Sequence, residues 1–420
     1  SSTGTAAASA PSTTARVAKR WLHHVHHLLD AGTAELLGLP YGDLAVDSAA
    51  RLDLPLLSAA FRRTGHSLDA WGLPLGSAVV PPDHRMAAST FTALPHDTTV
   101  LLDDTAVTGR TGPVNRVNGR RLVLTSSGAV AGGPGPIDPL SPLALRQRIL
   151  SEAALRFLDH QQPLVVQLPI HLRHPIGPAF FAGLDVPWVR LTTLDGASVG
   201  PVTRLSDTRL RPPSTDTPAL GPQLYTAANH ALDQGRVLQS VLTGNTVVRR
   251  RLFEEATGNA SYTAAQDPYG ALARMRATSD WVDRNLGAIT LSAPETVTLA
   301  SDSGRFSALV SNDLDVPVTV KVRAVADPRL QITGGETVQL PPHGRTTVLL
   351  TATTHVLGVH NVTLELTNQD GRPLGSTDRF PMRAEQVSQL IWVIIGVGVG
   401  LLFAAIVLRV VRRIVRSRAS

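Results

Sequence analysis

Residues 289–322 read ITLSAPETVTLASDSGRFSALVSNDLDVPVTVKV. Apolar and polar residues alternate through Ile289–Ser292, Phe306–Val310 and Val318–Val322, the period of a strand with one face buried. Between them stand clusters of Ser, Asp, Asn, Pro and Gly, which favour turns. The same alternation continues through LQITG (330–334), TTVLLTATT (346–354) and HNVTLELTNQDGRPLG (360–375). Short strands separated by turns every eight to twelve residues or so predict an all-β immunoglobulin-like sandwich over 288–384, of about seven strands.

Downstream, Leu390 to Leu408 reads LIWVIIGVGVGLLFAAIVL, without one charge. At about 1.5 Å per residue, a helix of that length approaches the roughly 30 Å core of a bilayer. The expectation is a transmembrane helix over 388–409 followed by a cytoplasmic basic tail, 410–420. Arg409, Arg412, Arg413, Arg416 and Arg418 carry no acid among them, and basic residues beside a span stay in the cytoplasm. The expected location is therefore the plasma membrane, single-pass, with the bulk of the chain outside. Arg409, Arg412, Arg413 and Arg416 share a helical face that can meet anionic lipid headgroups, or serve only to stop transfer. Gly396 and Gly400 form a GxxxG step, a candidate for pairing with the helix of a membrane-protein partner.

Upstream, residues 1–14 are small and polar and read as a disordered lead-in. They contain no export signal, so one is expected to precede them. From Ala15 a helical period carries Val17, Trp21, Leu22, Val25, Leu28 and Leu29. Short apolar runs then recur at 34–39, 77–80, 99–102, 121–125, 164–168 and 188–194, with helical patterns at 54–64 and 142–160. Strands alternating with helices predict a parallel sheet. Five or six strands fall short of the eight or so that close a barrel, so 15–224 reads as a partial β/α barrel-like domain. A helical segment, 225–287, links it to the sandwich; Asp267-Pro268 opens its last helix and Gly287 stops it.

Composition closes several classes. The chain has 39 basic and 33 acidic residues. Without the five tail arginines the basic count is 34, so the rest is nearly neutral and nucleic acid is not an expected partner. There is no cysteine, which removes disulfides and thiolate metal sites. Lys occurs only at Lys19 and Lys321, with Ala and Gly abundant, a usage typical of high-GC bacteria.

LGLPYGDLAVDSAARL (37–52), DAWGLPLGSAVVPPD (69–83), the SDWV helix end (279–282) and 289–322 joined to a C-terminal apolar run resemble one group. It is an uncharacterised actinobacterial family of large secreted proteins with a C-terminal membrane helix, often encoded beside the peptidoglycan lipid II flippase. LPYGD (39–43) and SNDLDVPV (311–318) are the most specific runs. The resemblance implies this architecture and a cell-envelope setting, and no catalytic residues.

In β/α barrels, function sits at the C-terminal strand ends. That rule selects Asp43, Asp83 with His84, Asp103 with Asp104, and His171. Converging carboxylates could serve glycoside hydrolysis, and Asp with His could hold a metal for deacetylation. The catalytic candidates are Asp43, Asp83 and His171. Each also has a structural reading: Asp43 as the cap of a helix beginning at Leu44, Asp83 as loop chemistry, Asp103 and Asp104 as caps. His171, Arg173 and His174 form a polar loop suited to an anion or to neighbouring carboxylates. His23 and His27 share a helical face that could chelate zinc, but no third ligand is evident, and His23, His24, His26 and His27 read better as a solvated patch. No metal or cofactor is expected. GxSxG, Walker, GxGxxG and HExxH motifs are absent. Asn259-Ala260-Ser261 and Asn361-Val362-Thr363 are taken as chance sequons.

Two functions remain open. The first is a non-catalytic cell-envelope protein acting as an extracellular assembly, scaffold or regulatory subunit beside peptidoglycan-synthesis partners. The second is a cell-wall glycan hydrolase or deacetylase, or a glycan-binding module that has lost catalysis.

Overall fold

The computed structural model describes residues 13–69, 71–131, 141–158, 163–169, 176–198, 202–213, 219–385 and 397–409. The chain divides into two compact units: 1–229 with 253–276, and 230–252 with 277–420. Among the described residues the content is mixed α/β, with curled sheets.

In the first unit six strands form one sheet: β1 (Leu37–Gly38), β2 (Gly76–Val79), β3 (Thr99–Asp103), β4 (Val114–Val117), β5 (Arg120–Thr125) and β6 (Thr203–Arg204). Their order is β1-β2-β3-β5-β4-β6. β1, β2, β3 and β5 run parallel, joined through Leu37↔Gly76, Ala78↔Thr99 and Val100↔Leu122. The sheet curls as an open half-barrel; Val79, Val100, Leu102 and Leu122 share one of its faces and Val123 lies on the other, all of them buried. Helices Val46–Leu52 and Leu54–Asp69 bury Val46, Ala49, Leu56, Leu57 and Ala60.

β4 and β5 form an antiparallel hairpin, with Val117 paired to Arg120. Asn118 (φ 47°) and Gly119 (φ 82°) make its two-residue turn, the type I′ geometry that fits strand twist and requires positive φ twice. Two expected strands are not strands. Residues 163–169 form no strand; Ser126 N–H, just past the end of β5, donates to the Val165 carbonyl at 2.8 Å. Trp188–Leu194 is irregular and leads into helix Leu194–Ala197. A bare apolar run does not distinguish a buried strand from a packed loop.

The second unit holds a two-layer sandwich. One layer is β12 (Thr337–Leu340), β10 (Val318–Ala326), β14 (Gly358–Thr367), β15 (Pro373–Ala384) and β8 (Val297–Leu299), in that order. The other is β11 (Leu330–Gly334), β13 (Arg345–Thr354), β9 (Ser303–Asn312) and β7 (Ile289–Ser292). That makes nine strands among the described residues; the extra ones are short, β8 spanning only Val297–Leu299. Alternation sets the faces. Phe306, Ala308 and Val310 of β9 point inward with Val348, Leu350 and Ala352 of β13, opposite Val320, Val322, Val362, Leu364, Phe380 and Met382. Each such side chain contributes roughly 1.5–3 kcal/mol of burial. Val237, Leu238, Val241, Val248, Leu252, Val282 and Leu286, from helices Pro222–Val241, Val248–Asn259 and Pro268–Gly287, join this core. Gly235 lets two of these helices close: a Cβ there would stand 2.0 Å from Leu252 Cδ1.

The transmembrane helix expected over 388–409 is corrected by the structure. No helix among the described residues is long and apolar enough to cross a membrane. Residues 397–409 are helical, a rise of about 20 Å against the roughly 30 Å required. An apolar run sets hydropathy alone, and the helix described within it, 397–409, is too short by itself to cross a bilayer. Leu390–Gly396, Arg412, Arg413, Arg416 and the rest of 410–420 lie outside the described residues.

The Phe306 and Phe380 rings meet at 5.5 Å in the sandwich core, and Phe380 is 2% exposed. Phe380→Ala is expected to cost about 3–5 kcal/mol, measured as a shift of the denaturant midpoint of the sandwich transition.

Candidate functional site

Two parallel neighbours, β1 and β2, end in the same device. After β1 the chain reads Leu39-Pro40-Tyr41-Gly42-Asp43; after β2 it reads Val80-Pro81-Pro82-Asp83-His84. In each, the residue three past the first proline donates its N–H back to that proline's carbonyl, Asp43 to Pro40 at 3.1 Å and His84 to Pro81 at 3.0 Å. Both closing residues stand at φ 53°. Asp and His are among the few side chains that tolerate this left-handed region. Proline fixes φ for the turn and lacks an N–H, so neither strand can continue past it.

Packing enforces the first turn. A Cβ on Gly42 (φ 78°) would lie 2.7 Å from Thr257 Cβ, so only glycine fits against helix Val248–Asn259. The next residues are clamped to a distant segment. Ala45 N–H donates to the Ala260 carbonyl (2.9 Å), Tyr262 N–H donates to the Asp43 carbonyl (3.0 Å), and Leu44 bridges Ser261. Val46 N–H donates to the Tyr262 hydroxyl at 3.3 Å.

β3 ends in Asp103, whose Oδ1 accepts from the Thr105 N–H (2.9 Å) and hydroxyl (2.5 Å). β5 ends in Thr125, Ser126 and Ser127; the Thr125 hydroxyl donates to the Leu102 carbonyl at 3.2 Å, and Ser127 N–H donates to Asp104 Oδ1 at 3.3 Å. Residues 163–169 bring Gln167 alongside.

These strand ends enclose an open cleft of about 920 Å³, with Asp43, His84, Asp103, Ser126, Gln167 and Tyr262 among its lining. Two of its polar atoms, His84 Nδ1 and Gln167 Oε1, are buried with no hydrogen-bond partner among the described residues. Leaving such an atom unsatisfied costs about 1–3 kcal/mol.

The electrostatics are acidic. Desolvation by the surrounding protein raises the pKa of Asp43 from its ordinary value, although its side chain still meets solvent. Behind it, Asp47 accepts from the Thr90 hydroxyl and from the Ala87 N–H at 3.2 Å. Burial raises the Asp47 pKa and the Asp83 charge adds to this, against the lowering by those bonds and by Arg51. Burial, then the Asp47 charge, pushes the Tyr262 hydroxyl up, so it stays protonated.

Of the residues singled out from sequence, Asp43, His84 and Asp103 line the cleft, while Asp83 stands beside it and acts through its charge. Asp43 does not cap a helix: the following helix begins at Val46, its N-cap is Ala45, and no side chain caps it. Asp103 does cap the turn Asp104–Ala106. His171, Arg173 and His174 lie outside the described residues, as does Gly396; Gly400 and Arg409 are exposed on the short helix 397–409. His23, His24 and His27 are exposed on helix Thr13–Asp30 and His26 is half-buried. Among the described residues no group of His, Asp and Glu could hold a metal ion. Gln167 and Tyr262 were not evident in the sequence. Gln167 does sit in VVQLP, a third strand-like run ending in proline, as β1 and β2 do.

The raised Asp47 pKa has a consequence for stability. Between 3.8, the ordinary value, and its higher folded value, the folded state binds more protons than the unfolded chain, so stability falls as pH rises through that window. Asp47→Asn keeps an acceptor for Ala87 and Thr90 and removes the buried charge. Its stability relative to wild type is expected to be highest at pH 7 and to fall as pH is lowered through the window, measured by denaturation at several pH values. Gly42→Ala is expected to cost 1 kcal/mol or more, roughly, through positive φ and the Thr257 clash, checked by thermal unfolding.

Three solved structures illustrate what parts of this chain are similar to. WR4, a Caenorhabditis elegans MSP family member, is 9% identical over 23% of this chain and 98% of its own, with a TM-score of 0.19. A FixG-related protein of Vibrio parahaemolyticus is 10% identical over 24% of this chain and 94% of its own, with a TM-score of 0.19. Salmonella alpha-2-macroglobulin is 19% identical over 23% of this chain and 7% of its own, with a TM-score of 0.19. No curated protein matches the chain. The model of a family of unknown function, DUF6049, matches residues 181–419, more than half of the chain, which belongs to that family.

Proposed function

We propose that this DUF6049 chain is a non-catalytic module of the cell envelope that captures a ligand at the strand ends of its half-barrel and serves as an extracytoplasmic assembly or regulatory subunit. The observation that carries the reading is the pair of buried, unpartnered atoms, His84 Nδ1 and Gln167 Oε1, on one cleft. Pockets of this size at the carboxyl ends of parallel strands, mostly apolar with a few convergent polar groups, are the usual form of small-ligand sites. The envelope setting, outside an actinobacterial cytoplasm and beside peptidoglycan synthesis, rests on the resemblance carried by LPYGD and SNDLDVPV. The sandwich is the part with surface to offer a partner: Leu349 and Val359 are exposed on its outward faces.

A second reading, a wall-glycan hydrolase or deacetylase, is favoured by one feature. Desolvation raises the Asp43 pKa, which moves a carboxyl toward the range of a general acid. The two readings separate in a single assay with purified wall glycan. Under the first, the full chain co-sediments with the glycan and releases neither reducing sugar nor acetate. Release of either, abolished by Asp43→Asn in a folded variant, would replace it with the second. The absence of both retention on wall glycan and recovery of a peptidoglycan-synthesis protein from solubilised envelopes would overturn the proposal.

A further inference from the structure

We infer that the strand-end cleft binds an uncharged carbohydrate of at least two rings, with Gln167 and His84 as the groups that receive its hydroxyls. The inference rests on the ligand-capture reading and names the class of ligand.

Three features of the cleft decide the class. The first is charge. Asp43 and Asp103 line it, and Asp47 and Asp83 lie close enough to bias the groups around it. No Lys or Arg is among the described residues that line it. Phosphates, uronates and other anions would enter against these carboxylates, and none of the described lining residues offers a cation to receive them.

The second feature is the pairing requirement of the buried atoms. Gln167 Oε1 accepts only, so it needs a donor. His84 Nδ1 donates or accepts according to its tautomer. A hydroxyl satisfies both, because it gives one proton and offers two lone pairs. The Tyr262 hydroxyl already accepts from Val46 N–H and holds its own proton, so it supplies a donor that a sugar oxygen can take. An ammonium ion offers donors only, and wants several acceptors around one point. Here the carboxylate best placed for it after Asp43 is Asp103, whose Oδ1 is engaged twice by Thr105.

The third feature is the wall. Leu39, Val80, Pro81, Val130, Leu168 and Pro169 give most of the cleft an aliphatic surface. A sugar ring presents C–H faces between its equatorial hydroxyls, which matches aliphatic walls broken by a few polar atoms. An extended polar peptide or a compact amine does not. At about 920 Å³ and open to solvent, the space lies near the upper end of small-ligand pockets. It exceeds what one ring fills.

The test is isothermal titration calorimetry on the full chain with three probes: N,N′-diacetylchitobiose, a galacturonic acid disaccharide and spermidine. The expected result is binding of the neutral disaccharide, with the uronate at least about tenfold weaker. Gln167→Leu should weaken the neutral probe about tenfold, the effect of one lost hydrogen bond to a buried group. His84→Asn, which tolerates the left-handed turn, should weaken it similarly; thermal unfolding confirms that both variants fold. Preference for spermidine or for the uronate overturns the inference. So does neutral-sugar binding that neither substitution weakens. If none of the probes binds while the chain still sediments with wall glycan, this inference fails and the ligand-capture reading stands; loss of both removes the two together.

Discussion

The short antiparallel clamp between residues 43–45 and 260–262 is the constraint on which the cleft depends. Two backbone hydrogen bonds, Ala45 to Ala260 and Tyr262 to Asp43, make the Leu44–Ser261 bridge and join segments more than two hundred residues apart. They hold the turn after β1 in a conformation that its own residues do not favour. They also deliver the Tyr262 ring to the strand ends, where no local sequence would put it. Gly42 against Thr257 is the steric half of the same constraint, and Tyr41 stacked on Phe253 at 5.9 Å is its apolar half. With the first turn fixed, helix Val46–Leu52 starts at a set position, and Asp47 in its first turn meets Ala87 and Thr90 beside the second turn. The two proline turns are thus linked through one buried carboxylate.

What the sequence made legible follows from periodicity. Alternation with a fixed inward set, as in Phe306, Ala308 and Val310, can satisfy only a half-buried strand, because a slip of one residue would turn that set to water. The strands that ended at prolines, LGLP and VVPP, were legible for the same kind of reason: proline closes a ladder. Asp43 could be picked out by position alone. The hairpin β4–β5 was legible in principle from Asn118-Gly119, but its strands are too short to alternate convincingly. β6 contains only Thr203 and Arg204 and carries no pattern of its own.

Other features were beyond a local reading. Leu390–Leu408 has the hydropathy of a span, yet hydropathy is a sum over side chains and does not by itself establish a helix of spanning length. Tyr262 lacks any distinguishing neighbour, and Gln167 is marked only by its place in a strand-like run that ends in proline. Their significance comes from contacts with residues 40 to 220 positions away, as when Val46 meets Tyr262. The structural alternative for Asp43, a helix cap, failed for a geometric reason: the left-handed turn places two further residues before the helix starts, so Ala45 takes the N-cap position.

The cleft concentrates costs that a purely structural strand end would avoid. Two non-glycine residues stand in the left-handed region, two buried polar atoms have no partner, and Asp43 and Asp47 ionise against desolvation. A turn alone would be better served by Gly or Asn at 43 and 84, and Gln167 could be replaced by an apolar residue with less loss. Strain and unsatisfied groups of roughly 1–3 kcal/mol apiece persist where the surrounding structure holds them in place. Here the surrounding structure is the clamp and the paired parallel strands, which are rigid enough to keep all of these groups on one open surface. A hydroxyl-bearing ligand would satisfy both orphaned atoms, which the strand ends hold on one cleft.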